Sequence, residues 1–380
     1  MTRLLAGFVW DGTCGGIDAY LVAFARLAAS EGVRVDFLTN EYAPGFAAKL
    51  EEMGHRLYEI ATLHDRRSQR STIEALHRKN DYDAAYFNVS TALMLPVVQA
   101  AHRAGIARVV VHAHAAGNDQ ASPLRRAVFD AGNALFRPAL RRAASLMVAC
   151  SSDAGRWLFG NKALSEGRVH VVPNPVDTRS CAFDPAVRER MRERLDVKDR
   201  YVVGSVTAMK AIKNPLFMVE AFARFRDACE NAVLVVAGDG ELADEVRRHA
   251  ELTLPAGSWR LLGKREDVPA LLQAFDCFML TSLKEGLSIA TIEAQSAGLP
   301  CLVSTGVPKE ASAAPSLVRR LPLSAGPQAW AGELGRLWQT RRDYPSTRQG
   351  WVQNVEAAGY SADSPLVVLR MIESLVRESI

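Results

Sequence analysis

The sequence predicts an α/β protein built from two doubly wound, parallel-sheet units in tandem. Three observations carry this. Short apolar, β-branched runs alternate with longer stretches of helical spacing. The alternation breaks once, at VVPNPVD (171–177), and then restarts. The 380 residues, 48% of them hydrophobic and evenly spread, exceed what one ordinary core holds.

The elements follow in order. LLAGFVW reads as the first strand, because its apolar run breaks at Asp11 and Gly12 and so makes a poor signal peptide. IDAYLVAFARLAAS and TALMLPVVQAAHRAG have helical spacing, and VRVDFL, DAAYFN, ARVVVHA and SLMVAC are further strands. After the junction comes a charged helix, DPAVRERMRERL, and then the strands RYVVGSV, AVLVVAGDG, SWRLLG, DCFMLTS and GLPCLVS. From about Ala325 only helical patterns remain, ending in SPLVVLRMIESLVRES. The expected division is 1–175, 176–340 and a terminal helical segment 341–380, with a cleft between the two units and ligand sites at the carboxyl ends of the strands.

Composition excludes several classes. A formal charge of +4 is small for this length and gives no mandate for nucleic acid. Six scattered cysteines without a CxxC pair read as reduced thiols of a cytoplasmic protein. No apolar stretch approaches the ~20 residues of a membrane-spanning helix.

Candidate site residues cluster at strand ends. DGTCGGID is a glycine-rich turn entering a helix, where amides can receive a phosphate, although a tight turn alone also explains Gly15 and Gly16. Asp18 either caps that helix or meets a ligand. His112 and His114 share one face of their strand. A metal pair would need further ligands, and none stands at a recognisable spacing, so a sugar hydroxyl or a purely structural role remains. Gly238 and Gly240 form a GDG turn that serves a ligand or merely turns tightly. Lys210 and Lys213 follow the strand RYVVGSV and can neutralise a diphosphate, or simply be solvated.

The most informative stretch is TSLKEGLSIATIEAQSAGLP (281–300). A helix opening near Leu287 leaves the amides of Leu287, Ser288 and Ile289 free to attract an anion. At roughly 100° per residue it places Ser288, Thr291 and Gln295 on one side and Glu293 among Ile289, Ala290 and Ala297 on the other. A carboxylate on that apolar side is costly unless it is paired or kept for a ligand. With Glu285 in the loop before it, diphosphate on the amides and hydroxyls on the carboxylates would make a nucleotide-sugar site.

EGLSIATIEAQSAGLPCLVS resembles the paired-glutamate region of retaining family-4 glycosyltransferases of GT-B fold, in particular the bacterial exopolysaccharide and capsule branch. GGIDAYLV, VACSSDAGRWLFG, VVPNPVD, KNPLFMVEAF, VVAGDGEL and LGKREDVPALLQAFDCFMLTSLKEGLS resemble that branch in the same order, over roughly residues 1–312. The resemblance implies that Glu293 binds the nucleotide ribose and that Glu285 lies near the donor sugar. It places the diphosphate on the amides of Gly286 to Ile289 and on Lys213. Gly15 and Gly16 would let the first-unit loop approach the donor, and His114, with His112 as the alternative, would stand near the reacting centre. The main chain at Lys264 and Arg265 would edge the base. Terminal helices crossing back onto the first unit would suit this fold.

The resemblance further implies a UDP- or GDP-sugar substrate, no obligatory cofactor or metal, and a saccharide or polyprenyl-linked acceptor. One position departs from the pattern: related enzymes commonly carry an arginine five positions before the lysine, and here that position is Ala208. Lys210 is a candidate replacement, and a nucleotide-sugar-binding partner without catalysis is the alternative reading. The basic amphipathic stretch 123–142, with Arg125, Arg126, Arg137, Arg141 and Arg142, either lies on an anionic membrane surface or packs on its own sheet. A second basic cluster, Arg66, Arg67 and Arg70, reads as a solvated loop. A dinucleotide oxidoreductase would need a GxGxxG turn, which DGTCGG does not supply.

Overall fold

The computed structural model describes residues 2–8, 16–41, 44–62, 65–118, 122–340 and 348–378. The chain divides into two compact units, one formed by 1–175 with 362–380 and the other by 176–361.

The first unit holds a parallel sheet in the order β3-β2-β1-β4-β5-β6-β7. Its strands are β1 (Arg3–Gly7), β2 (Arg34–Thr39), β3 (Arg56–Glu59), β4 (Ala84–Val89), β5 (Val109–Ala113), β6 (Leu146–Ala149) and β7 (Val169–Val171). Central strands such as β4 are buried along their whole length, which is why they read as unbroken apolar runs. Tyr20, Leu21, Phe24 and Ala28 of the helix Gly16–Ser30 pack over β1 and β2. The terminal helix Pro365–Arg377 joins the same core through Val368, Leu369 and Ile372, spaced to share one face. The Arg108 guanidinium donates to the Leu375 carbonyl (2.7 Å) at its end.

The second unit has the order β10-β9-β8-β11-β12-β13. Its strands are β8 (Tyr201–Val206), β9 (Ala232–Ala237), β10 (Trp259–Leu261), β11 (Cys277–Leu280), β12 (Cys301–Ser304) and β13 (Val318–Leu321). The strand order reverses between β8 and β11, and such a switch point is where ligands bind in open parallel sheets. The charged helix Pro185–Arg194 is opened by Asp184, whose carboxylate accepts from the amides of Ala186 and Val187.

The sequence reading set 341–380 apart as terminal helices expected to pack back on the first unit. In the structure 348–361 stays with the second unit, and only 362–380 returns to the first. The tie is Arg348, 2% exposed, whose guanidinium donates to the carbonyls of Ala297 (2.9 Å), Phe275 (3.0 Å), Leu272 (3.1 Å) and Gln273 (3.3 Å). Burial, and then the neighbouring Arg188, push its pKa down to about 9. Cys150, Cys181, Cys229, Cys277 and Cys301 are buried thiols outside any disulfide. Among the described residues no helix is long and apolar enough to cross a membrane.

Candidate functional site

The two loops that leave β8 and β11, flanking the switch point, carry the chemistry of the second unit. The β8 loop is strapped down. Met209 donates to the Asp239 carbonyl (3.0 Å), Leu283 to the Ile212 carbonyl (2.8 Å), and the Thr281 hydroxyl to the Asn214 carbonyl (3.0 Å). Gly238 and Gly240, at φ 136° and 155°, are explained by this strapping. A Cβ on Gly238 would stand 1.8 Å from the Thr207 carbonyl oxygen, and one on Gly240 2.7 Å from that of Met209.

The strapping brings two predicted residues together. Lys213 Nζ and Glu285 Oε2 form an ion pair at 2.6 Å, with 24% and 10% of the side chains exposed. Ser282 Oγ donates to the other carboxylate oxygen (2.6 Å), and the Glu285 amide donates to the Gly306 carbonyl (3.0 Å). Lys213 is therefore not a loose solvated lysine; its ammonium is held at the mouth of the β11 loop. Ser282 was not singled out from the sequence, where its only signal is standing three positions before Glu285. Lys210 is exposed on the same loop, and Ala208 is half-buried.

The helix that follows, Ile289–Ser296, corrects the expected faces. Its polar-looking side is the buried one. Thr291 and Gln295 are fully buried and Ser288 nearly so. Gln295 donates to the Thr291 (2.8 Å) and Ala311 (2.7 Å) carbonyls and accepts from the Ala314 amide (2.7 Å), while the Ser288 and Thr291 hydroxyls pair at 2.8 Å. Ile289, Ala290 and Glu293 instead form the half-buried side. Leu287 is buried and Gly286 half-buried, and the amides of Leu287, Ser288 and Ile289 have no hydrogen-bond partner among the described residues, as at the open first turn of a helix.

No hydrogen bond or ion pair to the Glu293 side chain is formed among the described residues. Burial, and then the carboxylate of Asp177, push its pKa up to about 7. An unpaired, desolvated carboxylate disfavours its own charged form, and such groups concentrate at functional sites.

Lys264 is exposed, and the Arg265 guanidinium is committed to Asp267 through bonds of 2.8 and 2.6 Å. A separate cavity of about 520 Å³ at the start of β8 and β11 is lined by Arg188, Arg192, Arg200 and Arg348. Those guanidiniums are largely spent on carbonyls and Asp276, as in the Arg192 bonds to Ala274 (2.8 Å) and Val197 (3.0 Å), so the cavity belongs to the packing of the unit.

In the first unit, Gly15 and most of the turn DGTCGG lie outside the described residues. Gly16 is exposed at the start of its helix, and Asp18 is fully buried in the first turn. His112 and His114 do share a face, their rings 4.0 Å apart. His112 is fully buried and joined through Nδ1 to the Tyr86 hydroxyl (2.6 Å), which donates to the Tyr20 hydroxyl (2.9 Å). His114, 8% exposed, is joined through Nε2 to Asn88 Oδ1 (2.7 Å). Burial pushes the His112 pKa well down, and burial takes that of His114 to about 3, so both rings are neutral. No cluster of three or more metal-ligating side chains occurs among the described residues.

Residues 14–180 match the model described as Glycosyltransferase Family 4, and 187–321 that described as Glycosyl transferases group 1. The chain is a GT-B-fold relative of these glycosyltransferases. It is 28% identical over 340 residues to EpsF of Bacillus subtilis, named as a glycosyltransferase, covering 85% of this chain and 84% of that one. Over 144 residues, 36% of each chain, it is 37% identical to an Escherichia coli enzyme named UDP-Gal:alpha-D-GlcNAc-diphosphoundecaprenol alpha-1,3-galactosyltransferase. The crystal structure of Anabaena Alr3699/HepE with UDP and glucose superposes with a TM-score of 0.77 at 18% identity, covering 98% of this chain and all of that one.

Proposed function

We propose that this GT-B glycosyltransferase moves a sugar from a UDP- or GDP-sugar to a saccharide or lipid-linked acceptor, with retention of configuration and without an obligatory metal, in the building of a cell-surface polysaccharide. The observation that carries it is the open helix start at Leu287–Ile289, with the Lys213–Glu285 pair before it and the unpartnered Glu293 within the helix. As the glycosidic bond breaks, charge gathers on the leaving nucleoside diphosphate. The three amides and Lys213 are donors already in place for it, and preorganised donors lower such a barrier. Glu293 receives the ribose hydroxyls, Glu285 stands at the donor sugar, and the main chain at Lys264 and Arg265 edges the base. Gly15 and Gly16 accompany the donor from the first unit, and His114 serves the reacting centre.

Two relatives lend support through what their names state: one acts with UDP-Gal on a diphosphoundecaprenol-linked sugar, and the Anabaena fold holds UDP and glucose. The second reading, a nucleotide-sugar-binding partner without turnover, is favoured by Ala208, since a charge-assisted phosphate contact is a strong one. Thermal shift over a panel of nucleoside diphosphates and nucleotide sugars, followed by release of UDP or GDP, tests both. The transferase reading expects stabilisation by one base series and release of that nucleotide. Binding with no release across acceptors supports the partner, and no binding at all sinks both. In the same panel Ala208→Arg is expected to tighten nucleoside diphosphate binding roughly tenfold. An unchanged affinity means that Lys210 or another group already fills the missing cation's place.

We also propose an anionic lipid surface, at the cytoplasmic face of the membrane, as the setting of the reaction. On the helix Pro123–Ala143, Leu124 (75% exposed), Val128 (65%) and Leu135 (75%) line one outward stripe, with Arg125 and Arg142 exposed beside it. Arg137 and Arg141 turn inward to the carbonyls of Trp157 and Phe159 (2.8 and 2.7 Å) and belong to the packing. Co-sedimentation with phosphatidylglycerol vesicles is expected, and replacing Leu124, Val128 and Leu135 with serine is expected to weaken it roughly tenfold or more. Equal binding by the triple variant would remove the helix from this role.

A further inference from the structure

In the sheet of the second unit β11 lies between β8 and β12, and the loop that leaves it with Glu285 is held from both sides. Towards β8, the Leu283 amide donates to the Ile212 carbonyl (2.8 Å), next to Lys213. Towards β12 stands the turn that leaves that strand. Ser304, fully buried, donates its hydroxyl to the Ser282 carbonyl, and the Gly306 carbonyl accepts the Glu285 amide (3.0 Å). Gly306 meets the loop without clearance: a Cβ there would stand 2.2 Å from the Leu283 carbonyl oxygen, 2.6 Å from its carbon and 2.8 Å from the Ser282 carbonyl oxygen. Its φ lies outside the left-handed region, so the close approach, and not the backbone conformation, calls for glycine. The turn has its own brace in Arg320 of β13, whose guanidinium donates to the carbonyls of Pro308 (3.1 Å), Thr305 (3.3 Å) and Val307.

We propose that Gly306 is a positioning residue that sets the Glu285 carboxylate against Lys213, by bracing the β11 loop against the β8 loop from a turn that Arg320 fixes. A side chain at 306 has to drive Leu283 back by roughly 1 Å to reach ordinary contact. Leu283 does not yield freely, because its amide is tied to Ile212. The displacement therefore passes into Leu283–Glu285 or into the β8 loop, and either way the 2.6 Å pair of Lys213 Nζ with Glu285 Oε2 opens. The effect on the pair stands on this geometry alone; its consequence for transfer rests on the glycosyltransferase reading. With the pair open, the ammonium is released to a diphosphate while the carboxylate loses its fixed place. Affinity for the nucleotide and turnover then move in opposite directions, which a mere loss of stability does not produce.

The test is acetylation of the full chain with acetic anhydride, read by mass spectrometry as the labelling of Lys213 relative to Lys210, the exposed lysine of the same loop. In the wild type Lys213, held in its pair, is expected to label more slowly than Lys210, and Glu285→Gln sets the released limit. In Gly306→Ala the ratio is expected to rise severalfold towards that limit; a ratio at the wild-type value in the folded chain overturns the proposal. Should Gly306→Ala not fold, Arg320→Leu takes its place. It frees the turn without filling the space, the ratio is expected to rise in the same direction, and an unchanged ratio overturns the proposal. UDP and GDP are then titrated by calorimetry, and turnover is followed by release of the nucleotide. Gly306→Ala is expected to bind the preferred diphosphate severalfold more tightly and to turn over roughly tenfold or more slowly. Parallel loss of affinity and turnover makes Gly306 a packing residue only and overturns the positioning role. If neither diphosphate binds any of these proteins, the transferase reading fails while the labelling ratio still decides the role of Gly306.

Discussion

Glu285→Gln is expected to bind nucleoside diphosphate more tightly while losing transfer. In the free protein the Glu285 carboxylate neutralises Lys213 at 2.6 Å. A diphosphate arriving at the amides of Leu287–Ile289 meets a lysine whose charge is already half spent and a carboxylate that repels it. Glutamine removes the repulsion and releases the ammonium, and a hydrogen bond to a charged group contributes about 1.5–3 kcal/mol, so affinity for UDP or GDP is expected to rise roughly tenfold. Transfer depends on where Lys213 stands, and the carboxylate holds it there together with Ser282. Misplacing such a group by about 1 Å costs on the order of a hundredfold in rate. Calorimetric affinity and release of the nucleotide measure the two effects. Weaker binding with intact turnover would show that the pair is only a structural tie.

The second large effect concerns Glu293 and stability. Its pKa stands at about 7 in the folded chain against an ordinary value of 4.5. Because the folded state holds the proton more tightly, the side chain adds a penalty that is absent below about pH 4.5, grows as the pH rises, and is complete above about pH 7. At about 1.4 kcal/mol per pH unit the full penalty is roughly 3 kcal/mol. Glu293→Gln, which cannot ionise, is therefore expected to be more stable than the wild type by about that amount at pH 8, with the gain shrinking towards pH 4.5. Denaturant unfolding at both pH values checks it. A variant less stable at pH 8 would mean that the carboxylate has a structural partner after all.

The fold was legible where burial writes a plain pattern. β8, β9, β11 and β12 lie in the middle of their sheet or close to it and read as unbroken apolar runs. The sequence reading passed over β3, β7 and β13 because RLYE, VHV and VRRL are short edge strands, half solvated and interrupted by charge or histidine. The Ile289–Ser296 helix misled for a related reason. The side of Ile289, Ala290 and Ala297 was read as the one where a carboxylate is costly, whereas Thr291 and Gln295 on the other side satisfy their polar atoms inside the unit and are fully buried.

Within the candidate site, Lys213 and Glu285 were each visible in their motifs. Their pairing was not, since 72 positions separate them and only the strapping of the β8 loop brings them together. The glycines of the GDG turn ran the other way: a ligand was one reading for them, and the close approach to the Thr207 and Met209 carbonyls now accounts for them.

At the centre of the proposed function, Glu293 is a carboxylate left without a hydrogen-bond or ion-pair partner among the described residues, and the proposal assigns it the nucleotide ribose. The direct measurement is calorimetric titration of the wild type and Glu293→Gln with the nucleotide sugar identified in the panel, at pH 6 and pH 8. A nucleotide sugar suits this, since its diphosphate is esterified at both ends and does not itself titrate there. The ribose hydroxyls bind the ionised carboxylate, so wild-type affinity is expected to be several-fold higher at pH 8 than at pH 6, roughly tenfold per unit well below the pKa of about 7. Glu293→Gln is expected to bind at least tenfold more weakly at pH 8 and to lose that pH dependence. Equal affinity in the two proteins, with the same pH profile, would contradict the account.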